Sequence, residues 1–248
     1  MAKVALFIIS VILISNIFIS NVFAAPTFVD EYGVTNDEKS ATGITFNPDG
    51  TKMYVTGIGS DEILQYTLSV AFDVTSTVTL EYSRDIGNVD NAPQDIKFNS
   101  DGTVIFVLGT EDNAVHRWSL STPYDISSIT QASIVSDSTS TIVGGDPRGL
   151  DFNTDGTKMF ILDGQQQQVE EYELSTAFNP DTKTLSQTIS NPRSGDYHQG
   201  FGFSPDGLKM FVVRSRPQNS GSNDDNNIQE YNLTIGFDIS TAKLNDSF

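Results

Sequence analysis

One short motif recurs four times along the chain, and its spacing restricts the fold more than any other feature. Each copy starts with a phenylalanine and contains an Asp-Gly pair: FNPDGTKMYV at Phe46, FNSDGTVIFV at Phe98, FNTDGTKMFI at Phe152 and FSPDGLKMFV at Phe203. The four phenylalanines are 52, 54 and 51 residues apart. A period in this range predicts a repeat architecture in which each unit is one supersecondary element.

The similarity between the units extends well past the motif. Tyr66, Trp118 and Tyr172 each lie 20 residues after their phenylalanine, and Tyr231 takes the same place after an eight-residue insertion. The stretches LSVAFDVTS, LSTPYDISS, LSTAFNPDT and LTIGFDIST then follow in the four units. Because Trp118 occupies a shared aromatic position, we expect it to be core between units and not a stacking platform for a ligand.

Apolar residues alternate within each unit, which is the period of a β-strand. In the first unit they predict strands a to d around residues 44–46, 53–55, 63–68 and 78–82. The Asp-Gly pair predicts the hairpin between strands a and b, because glycine accepts the positive φ of a tight turn. No stretch after residue 24 has a sustained helical period, so the sequence predicts an all-β protein.

Four antiparallel strands recurring every ~50 residues are typical of a β-propeller blade. The predicted blades are 41–86, 93–136, 147–190 and 198–248, within a propeller domain of residues 25–248, and residues 27–33 form an additional outer strand. Residues 243–248 also read as an outer strand. Four blades need only four outer strands and the sequence predicts five, so one of them is surplus. Three arrangements therefore stay open: a four-bladed ring, an incomplete part of a larger ring, or copies that associate to cover exposed blades.

The pattern FxxDGTKMFV followed by YxLSTAFD resembles the Asp-Gly-turn propeller repeats of the YVTN, TolB and lactonase-like group, especially those of secreted microbial proteins. The resemblance extends over residues 28–248. It implies that a ligand binds over the central channel, at the rim formed by the d–a and b–c loops. The lactonase-like members of the group also imply a hydrolase, but their acidic, histidine and arginine set does not map onto matching positions of this sequence.

Composition and the first residues restrict partners and location. The formal charge of −18 disfavours nucleic acid and anionic membranes, and the absence of cysteine excludes disulfides and cysteine-bound metals. Residues 1–24 have a positive start, an apolar run and small residues before the predicted cleavage after Ala24, which indicates a signal peptide. We therefore expect a secreted, extracellular or cell-surface protein, periplasmic in a two-membrane bacterium. The alternative is that residues 1–24 stay attached as a membrane anchor. No later segment is apolar enough to span a bilayer.

The predicted ligand rim collects polar residues from two sets of loops. The d–a loops contribute Asp90, Asn91, Asp146, Arg148, Asp196, Tyr197, His198 and Gln199. The b–c loops contribute Asp61, Glu111, Asp112, Asp163 and the long segment 214–227. Such groups near one mouth could bind a polar ligand. The alternative is that they are solvated loop residues.

Signals for catalysis and for metals are sparse. In the long segment, Asp224 and Asp225 offer the oxygen ligands that calcium prefers, without the alternating spacing of a calcium loop, and no other cofactor is predicted. The chain has two histidines and no nucleophile-elbow or HExxH motif, and His116 is expected to be a packed or half-exposed residue of strand c. The favoured hypothesis is a secreted, non-catalytic propeller that binds a protein, glycan or small molecule, with self-association as a further option. The alternative is a lactonase-like hydrolase, with or without a metal ion.

Overall fold

The computed structural model of the chain describes residues 31–135, 145–190, 197–215 and 227–247. These residues form sixteen strands in four antiparallel sheets arranged around one axis, which is a four-bladed β-propeller and confirms the predicted fold class. Within the described ranges, helix is limited to three single turns of 3₁₀ type, and no helix is long and apolar enough to cross a membrane. The predicted signal peptide and residues 27–30 lie outside these ranges, and residues 31–33 are not in a strand.

Each blade takes its four strands in chain order, from the central axis outward. Blade 1 contains β1 (Ala41–Phe46), β2 (Lys52–Gly57), β3 (Glu62–Leu68) and β4 (Val78–Asp85). Blade 2 contains β5 (Pro93–Phe98), β6 (Val104–Gly109), β7 (Ala114–Leu120) and β8 (Ile129–Val135). Blade 3 contains β9 (Pro147–Phe152), β10 (Lys158–Asp163), β11 (Gln168–Leu174) and β12 (Lys183–Ser190). Blade 4 contains β13 (Tyr197–Phe203), β14 (Lys209–Ser215), β15 (Asn227–Asn232) and β16 (Lys243–Ser247).

The Asp-Gly pairs make the predicted hairpins between the first two strands of every blade. Gly50 has a φ of +71°, and the Asp49 carboxylate accepts hydrogen bonds from the backbone N–H and the hydroxyl of Thr51. A methyl group on Gly50 would collide with the ring of Phe72, which covers the turn. The turn therefore needs glycine both for its backbone angle and for this close contact.

Consecutive blades pack face to face through buried apolar side chains. One cluster joins blades 1 and 2 and includes Tyr54, Ile63 and Trp118. A second joins blades 2 and 3, and a third joins blades 3 and 4. Trp118 is 2% exposed, which confirms that the shared aromatic position belongs to the core. We call these three interfaces the closed seams.

Buried side chains also link neighbouring blades next to the central axis. The carboxylate of Asp95 on β5 accepts a hydrogen bond from Leu150 N on β9 at 2.9 Å, and that of Asp151 on β9 accepts one from Phe203 N on β13 at 3.1 Å. These links satisfy backbone N–H groups of innermost strands, which have no further strand beside them. The inner strands are thereby held in position around the axis.

Candidate functional site

The interface between blade 4 and blade 1 differs from the three closed seams. Its facing positions are Phe211, Val213 and Ile228 on blade 4 and Ile44 on blade 1. Val213 is 43% exposed and Ile228 is 47% exposed, whereas their equivalents in blades 2 and 3 are at most 3% exposed. Those equivalents are Leu108, Leu162, Val115 and Val169. We call the blade 4 to blade 1 interface, defined by Ile44, Phe211, Val213 and Ile228, the open seam.

Ile44, on the blade 1 side of the open seam, is also more exposed than its equivalents in the closed seams. It is 54% exposed, whereas the equivalent Ile96 and Leu150 of the closed seams are fully buried. Among the residues described, no hydrophobic cluster joins blade 4 to blade 1; the fourth cluster belongs to blade 1 alone. The repeat therefore places core-type residues at a position where they are left accessible.

A cavity of about 380 Å³ lies at the open seam and extends to the inner strands. Its walls combine the apolar residues of the seam with Phe201 and with five polar side chains. These polar residues are Thr42, Asp95, Lys97, Arg148 and Gln199. An apolar concave site of this size with a few polar groups is typical of small-molecule pockets.

The polar groups of the cavity are held by neighbouring side chains. Arg148 donates from Nη1 to the side-chain oxygen of Gln94 at 3.1 Å, and its Nη2 lies 2.8 Å from an Asp146 carboxylate oxygen. A guanidinium has five N–H donors, so these contacts leave Arg148 with donors for a ligand. Arg148 is therefore held in place while some of its N–H donors stay available for a ligand.

Lys97 is the second cationic group of the cavity wall, and its Nζ lies 3.9 Å from an Asp95 carboxylate oxygen. Burial alone would lower the pKa of Lys97, but the negative charges of Asp95 and Asp151 outweigh it and raise the pKa. Burial raises the pKa of Asp95, although Lys97 opposes the rise. The wall thus contains a partly buried ion pair next to the aliphatic seam.

The structure separates the predicted rim residues into different places. Arg148 and Gln199 line the cavity, with Asp146 paired to the arginine. His198 is 3% exposed and lines a small gap between blades 3 and 4, beside Val169. Tyr197 is the first residue of β13, while Asp196, Asp224 and Asp225 lie outside the described residues. Their role in ligand binding stays a prediction.

Asp90 and Asn91 lie at a second place, on the rim of blade 2. Asn91 is exposed, and its backbone N–H donates to the Glu111 carboxylate at 3.1 Å. Asp90 is fully buried, and one of its carboxylate oxygens lies 3.4 Å from Nε2 of His116. The same imidazole nitrogen lies 3.3 Å from a carboxylate oxygen of Asp112. Residues from two loops and one strand therefore meet in one cluster, in which Asp90 and His116 are buried and Asp112 is partly exposed.

Sequence reasoning selected Asp90 and Asp112 as loop residues and His116 as a packed or half-exposed strand residue, but it did not bring them together. His116 is indeed packed, at 2% exposure. The signal was present in the repeat, because d–a and b–c loops of one blade adjoin at the same rim. The backbone bond from Thr110 N to Ala92 O, at 3.1 Å, is one such contact in blade 2.

Comparisons with known proteins support the fold and leave the activity open. No protein-family model and no curated protein sequence matches this chain. Solved structures do match: a periplasmic gluconolactonase from Pseudomonas aeruginosa has 14% identity and a TM-score of 0.50, over 84% of this chain and 56% of that one. A protein from Lactobacillus plantarum has 20% identity and a TM-score of 0.50, over 84% and 54%. Hydrazine synthase from Kuenenia stuttgartiensis has 14% identity and a TM-score of 0.51, over 89% and 52%.

The identities to these structures are low, so the likeness concerns the propeller fold alone. The chain spans about half the length of the solved chains that it matches, with 52–56% of each covered. The predicted resemblance to propeller repeats is thus supported at the level of the fold and of structural neighbours that include a gluconolactonase.

Proposed function

We propose that this chain is an exported binding module that takes an amphipathic small molecule into the open seam. The observation that carries the proposal is the exposure of Ile44, Val213 and Ile228 at positions that are buried in the equivalent closed seams. Half-exposed aliphatic side chains in a concave slot gain free energy when a ligand covers them, at about 25 cal/mol per Å² of apolar surface. The apolar part of the ligand would fill this slot.

The polar end of the cavity favours a ligand with an oxygen-bearing group. Arg148 and Lys97 supply N–H donors there, and Gln199 supplies an amide. Since Arg148 and Lys97 each have a carboxylate beside them, the site does not rely on a large excess of positive charge. A carboxylate, sulfonate or hydroxyl group attached to an apolar body fits this arrangement.

A fluorescent dye with these properties, anilinonaphthalene sulfonate, tests the proposal. We expect the folded protein to bind one equivalent with a rise in fluorescence, and we expect Gly200→Val to weaken binding at least about tenfold. A side chain at Gly200 meets no heavy atom within 4 Å, so the variant should fold and extend into the cavity that Gly200 lines.

Gly33→Val is the matched control, because Gly33 is also unobstructed and does not line the cavity. Equal dye binding by both glycine variants would contradict the proposal. A screen of small sugar acids and other amphipathic anions, read by ligand-observed NMR with the same two variants, would then narrow the ligand class.

Hydrolysis of a sugar-derived lactone is the second candidate function. It is supported by the fold shared with the gluconolactonase of Pseudomonas aeruginosa, at 14% identity. The two candidates differ in one measurement: a binding module returns the lactone unchanged, whereas a hydrolase releases acid that a pH indicator detects. Turnover that is lost in Gly200→Val would replace the binding proposal by the hydrolase.

Export is proposed from the sequence of residues 1–24 and has its own test. Expression with the complete N-terminus in a bacterial host should deliver the protein outside the cytoplasm. N-terminal sequencing should then start at Ala25. A cytoplasmic product that retains Met1 would contradict this part of the proposal.

A further inference from the structure

We propose that Asp90, Asp112 and His116 form a binding site for one divalent transition-metal ion, with zinc as its best representative. The three side chains come from the d–a loop, the b–c loop and strand β7 of blade 2. Each offers one ligand atom, and the three atoms lie within 4.8 Å of one another. The site is separate from the open seam and independent of the function proposed there.

The distances within the cluster suit a shared cation better than a hydrogen bond. Nε2 of His116 lies 3.4 Å from Oδ2 of Asp90 and 3.3 Å from Oδ1 of Asp112. Charge-assisted N–H···O bonds are usually about 2.7–2.9 Å long. Zinc binds nitrogen and oxygen at about 2.0–2.2 Å, and the edge of a tetrahedron is about 1.63 times the bond, or about 3.3–3.6 Å. The observed separations match that edge.

One carboxylate oxygen of the cluster lacks a hydrogen-bond partner among the described residues, and a bound metal ion would provide a partner. Oδ1 of Asp112 is inaccessible to solvent and makes no hydrogen bond within the described part of the chain, although it lies beside His116. Two carboxylates at such close range repel each other, and a cation between them removes that repulsion.

Blade 1 provides an internal comparison for this site. The equivalents of Asp90 and Asp112 are Glu38 and Ser60, and the equivalent of His116 is Leu64. There the Glu38 carboxylate accepts hydrogen bonds from Ser40 N, Gly59 N, and Ser60 N and Oγ, at 2.6–3.1 Å. The carboxylate of blade 1 is therefore satisfied by donors alone, without a second acid or an imidazole.

In blade 2 the loop carboxylate receives fewer donors. Asp90 accepts one hydrogen bond on Oδ1, from Ala92 N at 2.7 Å, and directs Oδ2 toward His116. A second carboxylate and an imidazole then replace the serine hydroxyl and the leucine of blade 1. These replacements exchange a hydroxyl donor and an apolar side chain for two potential metal ligands at the same positions of the repeat.

One imidazole and two carboxylates favour a transition-metal ion over calcium or magnesium. Imidazole nitrogen suits zinc and other first-row transition ions, whereas calcium takes six to eight oxygen ligands and magnesium keeps several waters. Three protein ligands leave a fourth zinc position for water or another group, as in open zinc sites. We therefore expect zinc and cobalt to bind, and calcium and magnesium to compete poorly.

Calorimetric titration of the chelator-treated protein with zinc chloride, in excess magnesium to occupy exposed acids, tests the site. We expect one zinc ion per chain. Asp112→Ser and His116→Leu install the residues of blade 1 and should each weaken binding at least about 100-fold, because even supporting contacts to metal ligands are worth 10–100-fold. The visible spectrum of the cobalt-loaded protein should report tetrahedral coordination and change in both variants.

Glu111→Gln is the matched control, since it removes an exposed negative charge from the residue next to Asp112. It should bind zinc as the unmodified protein does. Circular dichroism without metal checks folding, and Asp112→Ser carries the test if His116→Leu does not fold. The proposal is overturned if the unmodified protein takes up no zinc, if Asp112→Ser binds zinc equally well, or if Glu111→Gln loses zinc as strongly as Asp112→Ser.

Discussion

The closed and open seams of this propeller use the same residue types at the same repeat positions, yet only the closed seams are tightly packed. At the seam between blades 3 and 4, Phe160, Leu162 and Val169 are at most 3% exposed. At the open seam Val213 and Ile228, the equivalents of Leu162 and Val169, are nearly half exposed. Residue type alone therefore does not determine burial in this fold, and the elements that dock at each seam must be compared.

A short turn from the following blade docks at every closed seam. At the seam between blades 3 and 4, the turn Ile239–Thr241 donates its first N–H to the Glu171 carboxylate at 3.0 Å. Gln65 accepts an equivalent bond from Ile126 N at 2.9 Å, and Arg117 donates to Asn179 at 2.7 Å. These polar contacts fix the angle at which the apolar faces meet.

The N-terminal segment explains why the fourth seam is different. The face of blade 1 that would receive blade 4 is covered by residues 31–40: Tyr32 packs edge to face on Tyr66 at 5.9 Å, and Asp37 accepts a hydrogen bond from the Tyr66 hydroxyl. Val34 packs on the same cluster. Because this segment takes the place of a neighbouring blade, blade 4 is left with an accessible face.

The largest expected effect comes from truncating the equivalent phenylalanines of the two seams. Phe160→Ala should lower the free energy of unfolding by about 3–5 kcal/mol, since Phe160 is fully buried and its ring lies 4.6 Å from that of Phe203. Phe211→Ala should cost about 1 kcal/mol, because its side chain is only partly buried. Urea unfolding followed by the fluorescence of Trp118, the only tryptophan, measures both changes.

Equal losses for the two phenylalanine variants would mean that blade 4 is packed against blade 1 in solution. In that case the open seam would not be a binding slot. An unchanged denaturant slope in both variants is needed before the free energies are compared, because a changed slope indicates a different unfolded or native state.

Much of the fold could be predicted from the sequence because its signals are local. Gly50 and its three equivalents mark the turns, and the shared aromatic position, 20 residues after the motif phenylalanine in the first three units, marks the seam core, as Trp118 confirms. The accessible seam could not be predicted, because Val213 and Ile228 have the residue types of buried positions. Their exposure depends on what covers blade 1, and that is a long-range arrangement.

The candidate sites were predictable only in part for the same reason. Arg148 and Gln199 were selected as rim residues and line the cavity, whereas Ile44 was predicted only as part of strand a and Val213 was not selected. His116 was expected to be packed or half-exposed, and its two carboxylate neighbours come from loops 26 and four residues away. Such contacts form only when the folded blade brings the d–a and b–c loops together at one rim.

The next effect in size concerns the docking contact itself. Glu171→Ala should cost about 2–3 kcal/mol, because it removes the acceptor for Ile239 N and leaves the Lys158 ammonium, 2.6 Å from the carboxylate, without that partner. Glu230→Ala removes the equivalent acid at the open seam, where Glu230 pairs with the half-exposed Lys209. Exposed pairs contribute at most about 1 kcal/mol, so this loss should be small.

Glu171→Gln refines the same comparison, since it keeps an acceptor for Ile239 N and removes the charge. We expect an unfolding free energy between those of the unmodified protein and Glu171→Ala. If Glu230→Ala were as costly as Glu171→Ala, a docked element would have to cover blade 4 in solution. A second copy of the chain would then be a candidate, and sedimentation at several protein concentrations would detect it.

The smallest expected effect adds one methylene group to each kind of seam. Val213→Leu gives the open seam the residue found at the equivalent Leu108 and Leu162, and it should stabilise the protein by up to about 0.8 kcal/mol as the added group is partly covered. Val115→Leu adds the same group to a closed seam, where Val115 is 2% exposed, and overpacking should destabilise the protein by about 1–3 kcal/mol. Opposite signs in urea unfolding, together with weaker dye binding by Val213→Leu alone, would establish that spare volume lies at the open seam. Two losses of similar size would place Val213 in a filled core instead.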